Sequence, residues 1–120
     1  MVARNSKTTL TALTVLCIST LICEAQKGIA SWYGAESAGK ITASGETFSP
    51  RGFTAASWHY PFGTTLRVSY LDRYVVVRVN DRGPNRRFKN RVIDLSEASF
   101  AALADIKLGI IPVKIEKIKQ

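Results

Sequence analysis

The sequence has few of the side chains on which metal and thiol chemistry depend. Cysteine occurs only at Cys17 and Cys23, and histidine only at His59. A folded domain that begins near Gln26 therefore has no thiol for a disulfide bond, and one imidazole without thiolate partners does not make a zinc site. The chain also contains neither a Gly-x-Ser-x-Gly nucleophile elbow nor a glycine-rich phosphate loop. We expect no metal ion and no cofactor.

Acidic residues are scarce as well. There are 9 Asp and Glu against 17 Lys and Arg, which gives a formal net charge of +8. Such an excess favours binding to nucleic acid, to anionic lipid or to an anionic wall polymer. The most basic segment, residues 86–91, is interpreted either as a solvated loop or as a polymer-binding patch.

The first 25 residues have the pattern of an export signal. Arg4 and Lys7 are basic, residues 8–22 carry no charge, and a small residue, Ala25, stands where signal peptidase would cut. The apolar run is shorter than the roughly 20 residues of a membrane-spanning helix. We expect cleavage after Ala25, a single domain over residues 26–120, and a location in the periplasm or cell envelope. Export argues against nucleic acid as a partner.

Two alternatives to cleavage remain open. The apolar run could be a buried helix or an uncleaved anchor, or Cys23 could become the lipidated first residue of a lipoprotein. Lipoprotein processing prefers a small residue before the cysteine, whereas this chain has Ile22. Association with a membrane is expected only if Cys23 is lipidated.

Short alternating strands dominate the rest of the chain. Strands are predicted over residues 28–33, 64–70, 74–80, 92–95 and 112–118, with a long loop over residues 34–51. The link over residues 71–73 indicates a hairpin. Ser96 is a favourable N-cap for one helix that continues to about Ile106. Many short strands with one helix favour a small closed barrel, because closure removes exposed strand edges.

Two carboxylates are the best candidates for chemistry. Asp81 directly follows an apolar strand and precedes Gly83-Pro84, so the strand end should hold it firmly, and Glu46 lies in a glycine-containing loop. Cleavage of a glycosidic bond needs a proton donor at the leaving oxygen and stabilisation of the positive charge at the anomeric carbon, which two carboxyl groups across a cleft can supply. Alternatively, Asp81 pairs with an arginine or accepts hydrogen bonds from turn amides.

At these residues the sequence resembles the rare lipoprotein A family. The resemblance rests on segments 28–34, 42–46, 61–64 and 75–84, above all Val-Arg-Val-Asn-Asp-Arg-Gly-Pro, followed by Ile-Asp-Leu-Ser at 93–96. It extends over residues 27–118. It implies a mainly β fold, a six-stranded double-psi β-barrel with one short helix. It also implies lytic transglycosylase activity that cuts the MurNAc–GlcNAc bond of peptidoglycan without water, preferably in strands that lack stem peptides.

The resemblance also implies roles for individual residues. Asp81 matches the catalytic acid, and Glu46 matches a second carboxylate that acts as base or charge stabiliser. Contacts with the glycan are expected from six further residues, Tyr33, Thr42, His59, Asn80, Arg82 and Asp94. Ser57 stands where the family often has His, which leaves the role of His59, two positions later, either at the cleft or structural.

For several of these residues a structural role is the alternative. Tyr33 either stacks on a sugar ring or closes the core. Asn80 either supports Asp81 or forms a turn, Arg82 binds a muramic carboxylate or pairs with Asp81, and Asp94 lies near the cleft or helps to start the helix.

Three functions are compatible with these residues. The first is a lytic transglycosylase that acts as a monomer on glycan strands and leaves anhydro-muramic ends. The second is a non-catalytic, expansin-like module that binds peptidoglycan. A third, weaker alternative is an inverting hydrolase that uses water.

Overall fold

A computed structural model describes residues 25–118 of the chain. It contains six strands and one α-helix: β1 (Gln26–Tyr33), β2 (Thr54–Ala56), β3 (Thr65–Tyr70), β4 (Arg73–Asp81), β5 (Arg91–Ser96), α1 (Glu97–Ala101) and β6 (Ile111–Lys117). The predicted export signal and the lipidation alternative at Cys23 fall within residues 1–24, outside the described residues. Among the described residues, no helix has the length and apolar character needed to cross a membrane.

The six strands close into a barrel in the order β1-β5-β2-β4-β3-β6. Two of the pairs, β1 with β5 and β2 with β4, are parallel, and the other four are antiparallel. The predicted mainly β fold, a closed six-stranded barrel with one short helix, is therefore confirmed. The short strand β2 lies between the end of β4 and the middle of β5, and the candidate site lies there.

Alternation of apolar and polar residues builds the core. In β4, Val75, Val77 and Val79 are buried while Val76 and Arg78 point outward, as the sequence predicted. Since successive side chains of a strand point to opposite faces, one face of each strand fills the barrel. Phe100 of α1 is fully buried and joins this core.

Sequence reasoning missed one strand and made the helix too long. The three residues of β2 are too few to show a period, and they are recognisable as a strand only through their pairing with β4 and β5. The helix begins after Ser96, whose side chain accepts a hydrogen bond from the Ser99 N–H, as predicted, but it ends at Ala101 rather than near Ile106. The chain then turns, and Asp105 caps a separate 3₁₀ turn over Ile106–Leu108.

The predicted β3–β4 hairpin is confirmed. The register pairs Tyr70 with Arg73, so Leu71 and Asp72 alone form the turn. Leu71 has a φ of 53°, which is unusual for a residue other than glycine, and its side chain is exposed. This turn lies at the opposite end of β4 from Asp81.

Candidate active site

Two carboxyl groups lie on either side of a small residue in the barrel wall. Ala56 of β2 pairs with Asp81 of β4 on one side and with Asp94 of β5 on the other. Two strand spacings separate the two aspartates, about 10 Å between their Cα atoms. Next to Asp94, the parallel register places Ser31 of β1. The alanine leaves room between the aspartates for a cleft.

The cleft has a volume of about 280 Å³. It is lined by Tyr33, Ser37, Lys40, Ile41, Thr42, Phe48, Ala56, Asp81, Arg82 and Asp94. Of the residues predicted to contact the glycan, Tyr33, Thr42, Arg82 and Asp94 share this lining with Asp81. The long loop after β1 supplies one wall, and the strand ends supply the other.

Asp81 is held by the backbone around it. Its Oδ1 accepts hydrogen bonds from the N–H groups of Ala43, at 2.9 Å, and Arg82, at 2.8 Å. The Tyr33 hydroxyl lies 3.5 Å from Oδ2, too far for a strong hydrogen bond. One oxygen is thus fixed while the other remains available at the cleft. The alternative that Asp81 caps turn amides is compatible with this geometry.

Asp94 has a different environment. Burial raises the pKa of its carboxyl group from 3.8 to about 6. A hydrogen bond from the Ser31 hydroxyl, at 3.1 Å to Oδ1, and the charge of Arg91 act in the opposite direction, whereas the negative charge of Asp81 adds to the increase. Near neutral pH, Asp94 therefore holds a proton far more often than an exposed aspartate does.

Tyr33 forms the wall between the loop and the aspartates. Its ring stacks on Phe48 with centroids 4.3 Å apart, which places one face of the ring against the protein. Burial, followed by the charges of Asp81 and Asp94, raises the pKa of its hydroxyl. Tyr33 thus remains a neutral phenol that can donate a hydrogen bond at the cleft.

Glu46 lies outside the cleft lining. Its carboxylate binds the Arg78 guanidinium with both oxygens, one contact being 2.8 Å, and both side chains are exposed. Hydrogen bonding to Arg78 lowers the pKa of Glu46. The backbone carbonyl of Glu46 accepts the Thr42 N–H at 2.7 Å, which closes the tight turn whose Ala43 N–H reaches Asp81. A catalytic role for Glu46 remains a prediction.

The loop after β2 carries His59 and Ser57. Ser57 is buried, and its hydroxyl accepts hydrogen bonds from the N–H groups of His59, at 3.0 Å, and Tyr60, at 3.4 Å. The His59 ring packs edge-on against Tyr60 and is not part of the cleft lining. Ser57, at the position where histidine was expected, thus shapes the loop.

The remaining predicted residues are Arg82 and Asn80. The Arg82 side chain donates to the carbonyls of Ser57, at 2.9 Å, and Tyr60, at 3.0 Å, rather than to the Asp81 carboxylate. Asn80 is buried and is not part of the cleft lining, and its backbone carbonyl accepts the Ser44 N–H at 3.3 Å. Asn80 thus supports the turn that positions Asp81.

Sequence reasoning did not identify Ser31, Ala56 or Lys40 as parts of the site. Ser31 and Ala56 reach it only through pairing between strands distant in sequence, and no local pattern indicates them. Lys40 is a single basic residue in a loop. Across residues 25–118, no cluster of three or more His, Cys, Asp or Glu side chains has the arrangement of a metal site.

Comparison with known proteins shows the family to which this barrel belongs. Residues 25–115 match the family model described as lytic transglycolase, a double-psi β-barrel domain. The chain belongs to this family. It is similar to a probable endolytic peptidoglycan transglycosylase RlpA of Nostoc sp., 50% identical over 94 residues, and to the endolytic peptidoglycan transglycosylase RlpA of Campylobacter jejuni, 45% identical over 97 residues. The resemblance to rare lipoprotein A is therefore confirmed.

The match covers most of this chain but a small part of each relative. It spans 75% of this chain and 25% of the Nostoc protein, and 79% of this chain and 34% of the Campylobacter protein. Among solved structures, a Clavibacter michiganensis expansin is similar with a TM-score of 0.65 and 26% identity, over 81% of this chain and 52% of the expansin. A Streptomyces papain inhibitor shares the fold, with a TM-score of 0.64 and 24% identity over 82% of this chain and 97% of the inhibitor.

Proposed function

We propose that this domain is a lytic transglycosylase that cleaves the bond between N-acetylmuramic acid and N-acetylglucosamine in peptidoglycan glycan strands. The observation that carries the proposal is the pair Asp81 and Asp94, which lie on either side of Ala56 in different environments. Relatives whose names describe endolytic peptidoglycan transglycosylases support the same substrate. The enzyme acts outside the cytoplasm, in the periplasm or cell envelope, as a monomer.

The half-buried Asp94 is the better proton donor. With its pKa near 6, it holds a proton at a pH where it can still release it, as general acid catalysis requires. The Asp94 proton passes to the glycosidic oxygen of the leaving N-acetylglucosamine as the bond from the muramic anomeric carbon breaks. The sequence pattern assigned the acid role to Asp81, and the burial of Asp94 is the reason for assigning it differently here.

Asp81 then acts as the base. The muramic 6-hydroxyl oxygen attacks the anomeric carbon, and its proton passes to the Asp81 carboxylate, whose orientation two backbone N–H groups fix. The product is a 1,6-anhydro ring, no water is consumed, and proton exchange with solvent restores both carboxyl groups. Because the nucleophile belongs to the substrate, it needs only correct orientation. Tyr33, Thr42 and Arg82 hold the sugars in the cleft.

The decisive experiment is digestion of peptide-free glycan strands in ¹⁸O-water, followed by mass analysis of the new ends. We expect anhydro-muramic ends, one water lighter than reducing ends and without ¹⁸O. Reducing ends that carry ¹⁸O would instead identify a hydrolase that uses water. Binding without any new ends would identify a non-catalytic wall module, the alternative that similarity to expansin favours.

Glu46→Gln tests whether the second family carboxylate takes part. Since Glu46 binds Arg78 outside the cleft lining, we expect the release of anhydro ends to fall by less than about tenfold, below the range of a lost acid or base. Glu116→Gln, which removes the partner of Lys114 in another exposed ion pair, is the matched control. A loss of a hundredfold or more in Glu46→Gln alone would make Glu46 a catalytic residue.

A further inference from the structure

A row of guanidinium groups lies over exposed aromatic rings beside the cleft. Arg82 lies 3.8 Å above Phe62, Arg86 4.0 Å above Trp58, and Arg91 and Arg87 lie 4.1 and 4.8 Å from the centre of Phe88. Trp58, Phe62 and Phe88 are all exposed large rings. We call Trp58, Arg86, Arg87 and Phe88 the arginine–aromatic surface.

Stacking holds the guanidinium groups of Arg86 and Arg87 over aromatic rings. A guanidinium that lies flat on a ring keeps its N–H groups around its edge, in the arrangement that binds a carboxylate with two hydrogen bonds. Within residues 25–118 the side-chain ion pairs join Arg78 to Glu46 and Lys114 to Glu116, and neither contains an arginine of this surface. The positive charge of Arg86 and Arg87 is therefore available to an anionic ligand.

The surface continues from the cleft. Arg82 lines the cleft, and its guanidinium also covers Phe62 in the loop that contains Trp58. The Trp58 Nε1–H donates to the Pro84 carbonyl at 2.6 Å, which joins this loop to the segment that carries Arg86 and Arg87. A polymer that extends beyond the cleft at Arg82 thus meets the arginine–aromatic surface.

The positive charge of the arginine–aromatic surface indicates which group of the polymer it can bind. The lactyl group of muramic acid ends in a carboxylate, but in a strand that bears stem peptides this carboxyl group is consumed in an amide bond. Removal of the peptides therefore exposes a repeated negative charge and also removes bulk. We propose that the arginine–aromatic surface is a binding site, outside the cleft, for the free lactyl carboxylates of the glycan; this rests on the proposed function.

A second basic surface serves as a control for the arginine–aromatic surface. The groove across β1, β3 and β6 is larger, about 770 Å³, and contains Lys27 and Arg73, but the acidic Asp72 and Glu116 lie among its basic residues. It shares no lining residue with the catalytic cleft. Removal of two charges there changes the net charge as much as removal of two charges at the arginine–aromatic surface.

The experiment compares two double variants on two strands. R86Q/R87Q and the control K27Q/R73Q are made with Asp81→Asn, which slows cutting during the measurement, and binding is followed by tryptophan fluorescence. The strands are peptide-free glycan and the same glycan after its lactyl carboxylates are converted to neutral methylamides with a carbodiimide. Melting curves verify that both variants fold.

We expect R86Q/R87Q to bind the anionic strand about twofold to thirtyfold more weakly, the range for two exposed ion pairs, and K27Q/R73Q to bind it like the parent. The parent should bind the neutral strand more weakly than the anionic strand by a similar factor. On the neutral strand, R86Q/R87Q should not weaken binding further. Added salt should reduce the difference between the two strands, because screening weakens exposed charge pairs.

Three results would overturn the inference. If R86Q/R87Q lost affinity equally for both strands, the arginines would not recognise the carboxylate. If K27Q/R73Q lost as much affinity for the anionic strand as R86Q/R87Q, net charge alone would explain the attraction. Equally tight binding of both strands by the parent would remove the inference but leave the proposed function intact. Failure of the parent to bind either strand would overturn both.

Discussion

Asp81→Asn should lower the rate at which anhydro-muramic ends are released by about 10²–10⁴-fold, the usual contribution of a general acid or base. Asparagine has nearly the same shape and keeps an oxygen that can accept the N–H groups of Ala43 and Arg82. It cannot take up the proton of the muramic 6-hydroxyl. Binding to peptide-free strands should persist, and the measurement is quantitative mass analysis of strand ends.

Asp72→Asn is the matched control for this variant. Asp72 lies in the exposed β3–β4 turn, so the same chemical change occurs away from the cleft and should leave the rate unchanged. The melting temperature of Asp81→Asn should stay near that of the parent, because Asp81 is only partly buried and is not part of the core. Release of anhydro ends at the parent rate by Asp81→Asn would remove Asp81 from the mechanism.

Asp94→Asn should cause a loss of similar size, about 10²–10⁴-fold, because it removes the proton delivered to the leaving oxygen. Its second effect should be a gain in stability at neutral pH. The folded state raises the pKa of Asp94 above its ordinary value, so ionisation of this group opposes folding. Asparagine is never charged and can still accept the Ser31 hydrogen bond.

The pH dependence of stability follows from the same shift. Below the ordinary pKa of 3.8, Asp94 is protonated in both states and its contribution to stability is fully present. That contribution is lost as the pH rises through about 6, the folded value. Between these limits the free energy of unfolding of the parent should fall by about 2–3 kcal/mol relative to Asp94→Asn. By calorimetry, the variant should then melt about 10–15 °C higher than the parent at pH 7 and at the same temperature as the parent at pH 3.

A pH–rate profile connects the two effects of Asp94. If Asp94 donates the proton, kcat/KM of the parent should decrease as the pH rises through about 6, and this limb should be missing from the residual activity of Asp94→Asn. Ser31→Ala removes a hydrogen bond that favours the ionised form, so it should move the limb to higher pH while keeping the carboxyl group. Equal melting temperatures of parent and Asp94→Asn at pH 7 would contradict the assigned environment.

Much of the fold could be predicted from local patterns. Alternation in β3 and β4, the short turn at Leu71, and the cap at Ser96 depend on neighbours in sequence, so the chain itself contains the information. The short strand β2 and the end of α1 depend on packing against distant segments instead. Three residues are too few to show a period, and nothing between Ala101 and Ile106 marks the end of the helix locally.

The sequence by itself determined that Asp81 follows a strand end, that residues 26–120 contain no thiol, and that the family is the lytic transglycolases. Only the tertiary structure decided that Asp94, rather than Glu46, lines the cleft with Asp81. The reason is that closure of the barrel places β2 between β4 and β5, so Ala56 separates the two aspartates. The burial of Asp94 and its pKa shift follow from contacts between strands that are distant in sequence. The side chain of Glu46, by contrast, lies on an exposed turn and binds Arg78.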